Sequence, residues 1–422
     1  MQKTKILVYA DSPTVATGFG TVSRNILAQL HASGRYDIDI FGINYHGTPH
    51  TLPYRIWPAM DHQAGDPYGR RKFCYFALEH DFDILWVLQD TFIVDFLPEL
   101  IKHLKAKRVK PFKTIMYYPI DSVLRAEWYP NLLPVDRLVA YTNFGKQAYL
   151  KHVRGKQPDI DIIYHGVDMN IFKPLPTEEV AKFRESYFSI GKDRFIFMNI
   201  NRNQQRKDIP RTIQAFKEFK KYVPESMLYL HMCGVDQGWN IPKLLTEMDM
   251  QLGRDVVLPD KMEPNQGFPV DVINYLYNSC DCVISTTLGE GFGIGWLEAM
   301  ACKTPTIMPN NTAMEELITK ERGYLVGSGN NLSLWTTLPN DNDIPRPLVD
   351  VDDLVAKMCY VYDNYTEAKA KADNAYEWVK SDMQWSGKIA TQWLNIFDQE
   401  AAKLSSRVSS KPKTKAINLE QL

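Results

Sequence analysis

Little in this sequence marks a secreted, membrane-spanning or metal-binding protein. The six cysteines (Cys74, Cys233, Cys280, Cys282, Cys302 and Cys359) form no CxxC pair and no histidine-spaced cluster. That excludes a disulfide framework or a zinc ribbon and predicts buried free thiols in a reducing compartment. No apolar run is long enough to span a bilayer, and Met1 to Ile6 passes straight into a short strand without a signal-peptide core, so a cytoplasmic protein is expected. A net charge of -1 argues against a globally basic nucleic-acid coat. A complete GxGxxG is missing. The DxD-like run Asp350-Val351-Asp352-Asp353 precedes Leu354, Val355 and Met358 at helical spacing, so it reads as a helix cap and first-turn acid cluster, and no metal site is expected.

What is present is enough apolar content, 45% of 422 residues, for two substantial cores. The chain is organised around Thr286-Thr287-Leu288-Gly289-Glu290-Gly291-Phe292-Gly293-Ile294-Gly295-Trp296-Leu297-Glu298. An apolar run from Asp281 to Ser285 predicts a buried parallel strand, the glycines a tight turn, and Trp296 to Ala301 a helix. Backbone N–H groups at such a corner can hold a phosphate or a developing oxyanion. Glu290 and Glu298 can face the same crevice. Carboxylates repel phosphate, so their partners should be hydroxyls, and a nucleotide diphosphate sugar offers both kinds of group.

The run Glu290-Gly-Phe-Gly-x-x-x-x-Glu298-Ala-Met-Ala resembles the Glu-x7-Glu signature of the glycogen-synthase-like family of retaining GT-B glycosyltransferases, those of the family 4 type. The resemblance implies an α/β fold of two Rossmann-like parallel-sheet domains facing across a cleft. Residues 1–175 would form an acceptor-side domain and 176–384 the nucleotide-sugar domain. Residues 385–403 would form a crossover helix returning to the first domain, followed by a disordered tail over 404–422. By the same resemblance Glu290 is the donor-sugar ligand, Glu298 the ribose ligand, and Gly291, Phe292 and Gly293 supply amides. Arg202 and Lys207, at the mouth of the first strand of the second domain, match the pair that grips the donor diphosphate. Asp208 stands there in place of the usual Gly, and Lys303 replaces another.

The first domain carries the resemblance less densely. Ile6 to Ala10 predicts a strand leading into Gly18-Phe19-Gly20 and an amphipathic helix, a corner that either serves the donor diphosphate through Gly18 and Gly20 or is a structural turn. Residues 44–71 read as an irregular loop, either acceptor-facing or a packed surface excursion. Asp90 and Asp121 end predicted strands, where ligands sit in open parallel sheets and where helix caps also occur. The family often has a histidine after the second of these strands. Here Tyr117-Tyr118-Pro119 stands instead, and Asp121 is taken as a catalytic candidate beside Arg202, Lys207 and Glu290. Gly166 predicts a turn and His165 a structural role. The basic run Lys102, Lys105, Lys107, Arg108, Lys110 and Lys113 reads as a solvated face, or else as a site for an anionic acceptor or a membrane surface. Met262-Glu263-Pro264-Asn265 lies where the donor base would sit.

The expected function is metal-independent, retaining transfer of a sugar from a UDP- or GDP-sugar co-substrate to an acceptor hydroxyl on a glycan or lipid-linked saccharide, with no further cofactor. Two alternatives are a glycosyltransferase acting on hydroxymethylated bases in DNA and a non-catalytic nucleotide-sugar-binding module.

Overall fold

The computed structural model describes residues 3–155, 158–189, 194–263 and 267–409. Seven parallel strands form the first sheet: β1 (Thr4–Asp11), β2 (Tyr36–Ile43), β3 (Arg55–Pro58), β4 (Ile84–Leu88), β5 (Lys113–Tyr118), β6 (Arg137–Ala140) and β7 (Asp161–Ile162). Their order is β3-β2-β1-β4-β5-β6-β7. The second sheet holds β8 (Ile196–Asn199), β9 (Met227–Leu230), β10 (Val256–Val257), β11 (Cys282–Ile284), β12 (Thr306–Pro309) and β13 (Tyr324–Val326), in the order β10-β9-β8-β11-β12-β13. All its pairings are parallel. The inner strands β1, β4, β5, β8, β9 and β11 are apolar almost throughout because helices cover both faces. Strand order reverses between β1 and β4 and between β8 and β11, and the carboxyl ends beside those two points open onto one cleft.

The chain returns to the first domain at its end. A kinked turn over Trp385–Ile389 leads into a helix, Ala390–Ser409. Trp393 packs edge-on against Trp86 and Tyr117, and Phe397 against Tyr36, so this helix closes the core under β4 and β5. It continues through Ser409, past the point where the sequence predicts a disordered tail. Positions 410–422 lie outside the described residues.

Two local expectations need correction. Residues 44–71 are not an irregular loop: they contain β3, which extends the sheet edge parallel to β2, and none of them lines the cleft. Gly166 is not a turn residue; a Cβ there would stand 2.6 Å from the Trp385 amide nitrogen, so the glycine admits the returning segment. The basic run is largely the solvated face that one of its two readings predicts, with Lys102, Lys105, Lys107 and Lys110 exposed. Lys102 pairs with Glu99, Lys110 with Asp81 and Asp83, and Lys113 with Asp136, while Arg108 lies over the Phe82 ring.

The domains also touch across the cleft. Glu316 of the second accepts the amides of Asn143 (3.0 Å) and Phe144 (3.1 Å) at the start of the helix Asn143–Leu150, and the Tyr164 hydroxyl (2.8 Å). A two-stranded hairpin, β14 (Trp335–Thr337) with β15 (Pro345–Pro347), extends from the second domain and carries Arg346 to Asp121.

Candidate functional site

The cleft holds about 750 Å³ and is lined by Gly18, Asp121, Arg202, Lys207, Glu290, Gly291, Phe292 and Gly293 among others. The glycine turn is built as the sequence suggests. β11 ends at Ile284, and Gly293, at φ +91°, starts the helix Ile294–Ala301 with no side chain capping it. A Cβ at Gly291 would stand 2.8 Å from Pro119, and one at Gly289 only 1.9 Å from the Asp121 carbonyl oxygen, so these glycines let the two domains approach.

Glu290 is the centre of the charge arrangement. Its carboxylate is buried, pairs with the Lys207 ammonium, accepts the Thr287 hydroxyl (3.1 Å) and lies 3.5 Å from the Arg206 guanidinium. Burial alone would raise its pKa, but Lys207 and Arg206 outweigh it and hold the group at about 2. Burial, reinforced by Arg206, lowers Lys207 to about 8. Both positions are fixed by backbone. Lys207 sits in a short 3-10 turn, Gln205–Lys207, and the next residue, Asp208, takes φ +46°. This left-handed geometry explains the Gly usual in the resembled family; Asp tolerates it better than most residues. Lys303, the other replacement, also has positive φ, +58°.

Arg202 occupies another part of the same cleft, where its guanidinium forks onto Asp236 (2.8 and 3.2 Å). Asp121 stands opposite, on the first-domain side, against Arg346 (3.4 Å) and Arg206 (3.7 Å). Gly18 lines the cleft with open space around it. Gly20 and Glu298 are not among the lining residues. The Gly20 amide donates to Thr17, and a Cβ there would meet the Val15 carbonyl at 2.6 Å, so its glycine serves the loop's own packing. Glu298 accepts the Tyr277 hydroxyl (2.9 Å), and burial raises its pKa to about 7. His165 is buried, bonded to the Tyr117 hydroxyl (2.8 Å) and packed against Phe292; burial drops it to about 3. Asp350 accepts the Asp353 amide (3.2 Å) and so caps its helix. Met262 and Glu263 line the cleft, while Pro264 and Asn265 fall outside the described residues.

Arg206 and Arg346 were not singled out from the sequence. Arg206 adjoins Lys207 and could have been read from the same basic turn. Arg346 belongs to a hairpin with no recognisable motif. Asp90, at the end of β4, also lines the cleft, with its pKa raised to about 7 by burial and by nearby Asp121.

Comparison with known proteins agrees with this geometry. The family described as "Glycosyl transferases group 1" matches residues 182–335. Alpha-1,3/1,6-mannosyltransferase ALG2 of Mus musculus is 25% identical over 238 residues, covering 53% of this chain and 53% of that protein. The O-antigen chain mannosyltransferase RfbU of Salmonella typhimurium is 23% identical over 264 residues, 61% of this chain and 64% of that protein. The chain thus spans roughly half to two thirds of the length of these relatives. Among solved structures, sucrose-phosphate synthase from Thermosynechococcus elongatus superposes with a TM-score of 0.72 at 17% identity, covering 95% of this chain and 100% of that one. Anabaena HepE in complex with UDP and glucose gives 0.68 at 17% identity, covering 94% and 100%. Among the described residues no helix is long and apolar enough to cross a membrane. The chain has the two-sheet fold of these solved structures, and within it residues 182–335, in the second domain, match the group 1 glycosyltransferase family.

Proposed function

We propose that the protein transfers a glycosyl group from a nucleoside diphosphate sugar to the hydroxyl of a glycan or lipid-linked saccharide, with retention at the anomeric carbon, without a metal, and in the cytoplasm. The observation that carries this reading is the convergence of Lys207, Glu290 and the amides of Gly291 to Gly293 in one cleft that Arg202 also lines. Lys207 and Arg202 hold the diphosphate, exchanging their present carboxylate partners for phosphate oxygens. Glu290, released from Lys207, accepts hydroxyls of the transferred sugar, and Glu298 those of the ribose. Gly18 closes the donor end from the first domain.

As the bond from anomeric carbon to phosphate oxygen breaks, negative charge grows on the leaving diphosphate. Cations fixed there stabilise the transition state more than the ground state. The acceptor oxygen bonds to the same face of the carbon, and its proton passes to the departing phosphate oxygen. Asp121 acts through Arg206, with which it shares the space beside Glu290. A DNA acceptor lacks support, because the first-domain wall brings carboxylates to the cleft and no residue of the basic run lines it.

A thermal-shift screen of UDP-glucose, GDP-mannose and the free nucleotides tests the donor assignment. A donor at about 100 times its Kd should add about 2.7 kcal/mol of stability. No stabilisation by any nucleotide sugar would remove the reading. Retention is checked by the anomeric proton coupling of the first product formed.

A further inference from the structure

The two walls of the cleft differ in charge. Its lining cations, Arg202, Arg206, Lys207 and Arg346, all come from the second domain. Among the described lining residues the first domain contributes Asp90 and Asp121 but no Lys or Arg. That same wall carries an aromatic pair, Phe92 and Trp128, with ring centroids 5.3 Å apart and planes tilted by 47°. Phe92 is 37% exposed, unusual for a phenylalanine that belongs to no apolar core. Nearby Arg125 sits over Trp128 but pairs with Glu127 (2.9 Å) and does not line the cleft.

A second, independent feature points to a ligand here. The Tyr141 side chain lines the cleft, is 4% exposed, and its hydroxyl has no hydrogen-bond partner among the described residues. A buried hydroxyl left unpaired is costly, and a ligand hydroxyl would satisfy it.

Resting on the transferase reading above, we propose that Phe92, Trp128, Tyr141, Asp90 and Asp121 form the acceptor subsite and that it takes an uncharged saccharide in preference to a phosphate-bearing one. A flat ring offers an apolar surface to the C–H face of a pyranose. The carboxylates accept hydrogen bonds from its hydroxyls, and the Tyr141 hydroxyl pairs with a sugar oxygen. A phosphate on the acceptor would meet the acidic side chains of Asp121 and Asp90, while Arg206 and Arg346 are already paired with Asp121 and Arg125 with Glu127.

The test uses the full chain with UDP-glucose and GDP-mannose as donors. Acceptors are neutral oligosaccharides ending in glucose, mannose, galactose or N-acetylglucosamine, each beside the same sugar with a terminal phosphate. At least ten-fold higher kcat/KM for a neutral acceptor than for its phosphorylated twin is expected. Equal or better use of the phosphorylated twin overturns the proposal, as does donor hydrolysis to water without transfer to any acceptor. If neither donor is bound or hydrolysed, the transferase reading itself fails. Trp128→Ala should raise the neutral-acceptor KM at least ten-fold, and Trp128→Tyr should recover most of it. Stabilisation of each variant by UDP reports that it is folded, and an unchanged KM in folded Trp128→Ala also overturns the assignment.

Discussion

The second-domain wall of the cleft works with full charges held a few ångströms apart, whereas the first-domain wall works with ring faces, carboxylates and one unpaired hydroxyl. The difference follows from what each must hold. A diphosphate is recognised by cations and amides whatever sugar it bears, so its cradle can be built from two short runs of sequence, 202–208 and 286–298. An acceptor is recognised by shape and hydroxyl pattern. Its wall is gathered from loops after β1, β4, β5 and β6, none of which carries a motif.

The largest test of that contrast is Lys207→Ala. A charge about 4 Å from another is worth about 4 kcal/mol at an effective dielectric of about 20, so kcat should fall on the order of 10³-fold, and the melting temperature should drop as well because buried Glu290 loses its ion-pair partner. A loss below ten-fold would take Lys207 out of its role. Because the protonated ammonium is the binding form, UDP affinity of the wild type should also decline as pH rises through about 8.

Glu298→Gln sharpens the comparison on the second-domain side. The folded pKa of Glu298, about 7, lies above its ordinary value of 4.5, so the native state binds that proton more tightly than the unfolded chain does. Wild-type stability from this group is therefore lost as pH rises from about 4.5 to 7. The Gln variant does not titrate. Free of ligand, it should melt higher than wild type above pH 7, by up to about 3 kcal/mol, and the gain should vanish below pH 4.5. UDP should protect the variant less well. A gain independent of pH would contradict the assigned protonation.

Gly289→Ala probes where the walls meet. Its Cβ cannot coexist with the Asp121 carbonyl at 1.9 Å, so the domains must part, at a cost of about 1–3 kcal/mol. Small-angle scattering should show a larger radius of gyration; unchanged dimensions with unchanged stability would mean that the contact is dispensable. The smallest effect is expected from Lys102→Glu with Lys105→Glu. Those exposed side chains lie away from the cleft, so turnover and its salt dependence should stay within two-fold, and a strong response would return the basic run to the acceptor problem.

The contrast also explains what could be read from the sequence. Strand runs such as Ile84 to Leu88 and Cys282 to Ile284 announce a parallel sheet because both faces are covered, and Glu290 and Lys207 announce a donor site because that chemistry needs them close together. The edge strand β3 has no fully buried residue, and its exposed Arg55 and Trp57 imitate a loop in sequence. Gly20 resembles Gly18 in sequence, yet its amide is taken by the Thr17 hydroxyl. Arg346 and the Phe92–Trp128 pair are united only by tertiary packing across long chain separations, which no local pattern encodes.

The Glu316 contact has a consequence for motion. Two amides at the start of the Asn143–Leu150 helix, along with the Tyr164 hydroxyl, depend on a carboxylate borrowed from the opposite lobe. Any hinge movement wide enough to admit a bulky glycan must expose that helix start to water, so amide exchange at Asn143 and Phe144 would serve as a built-in gauge of how often the jaws gape.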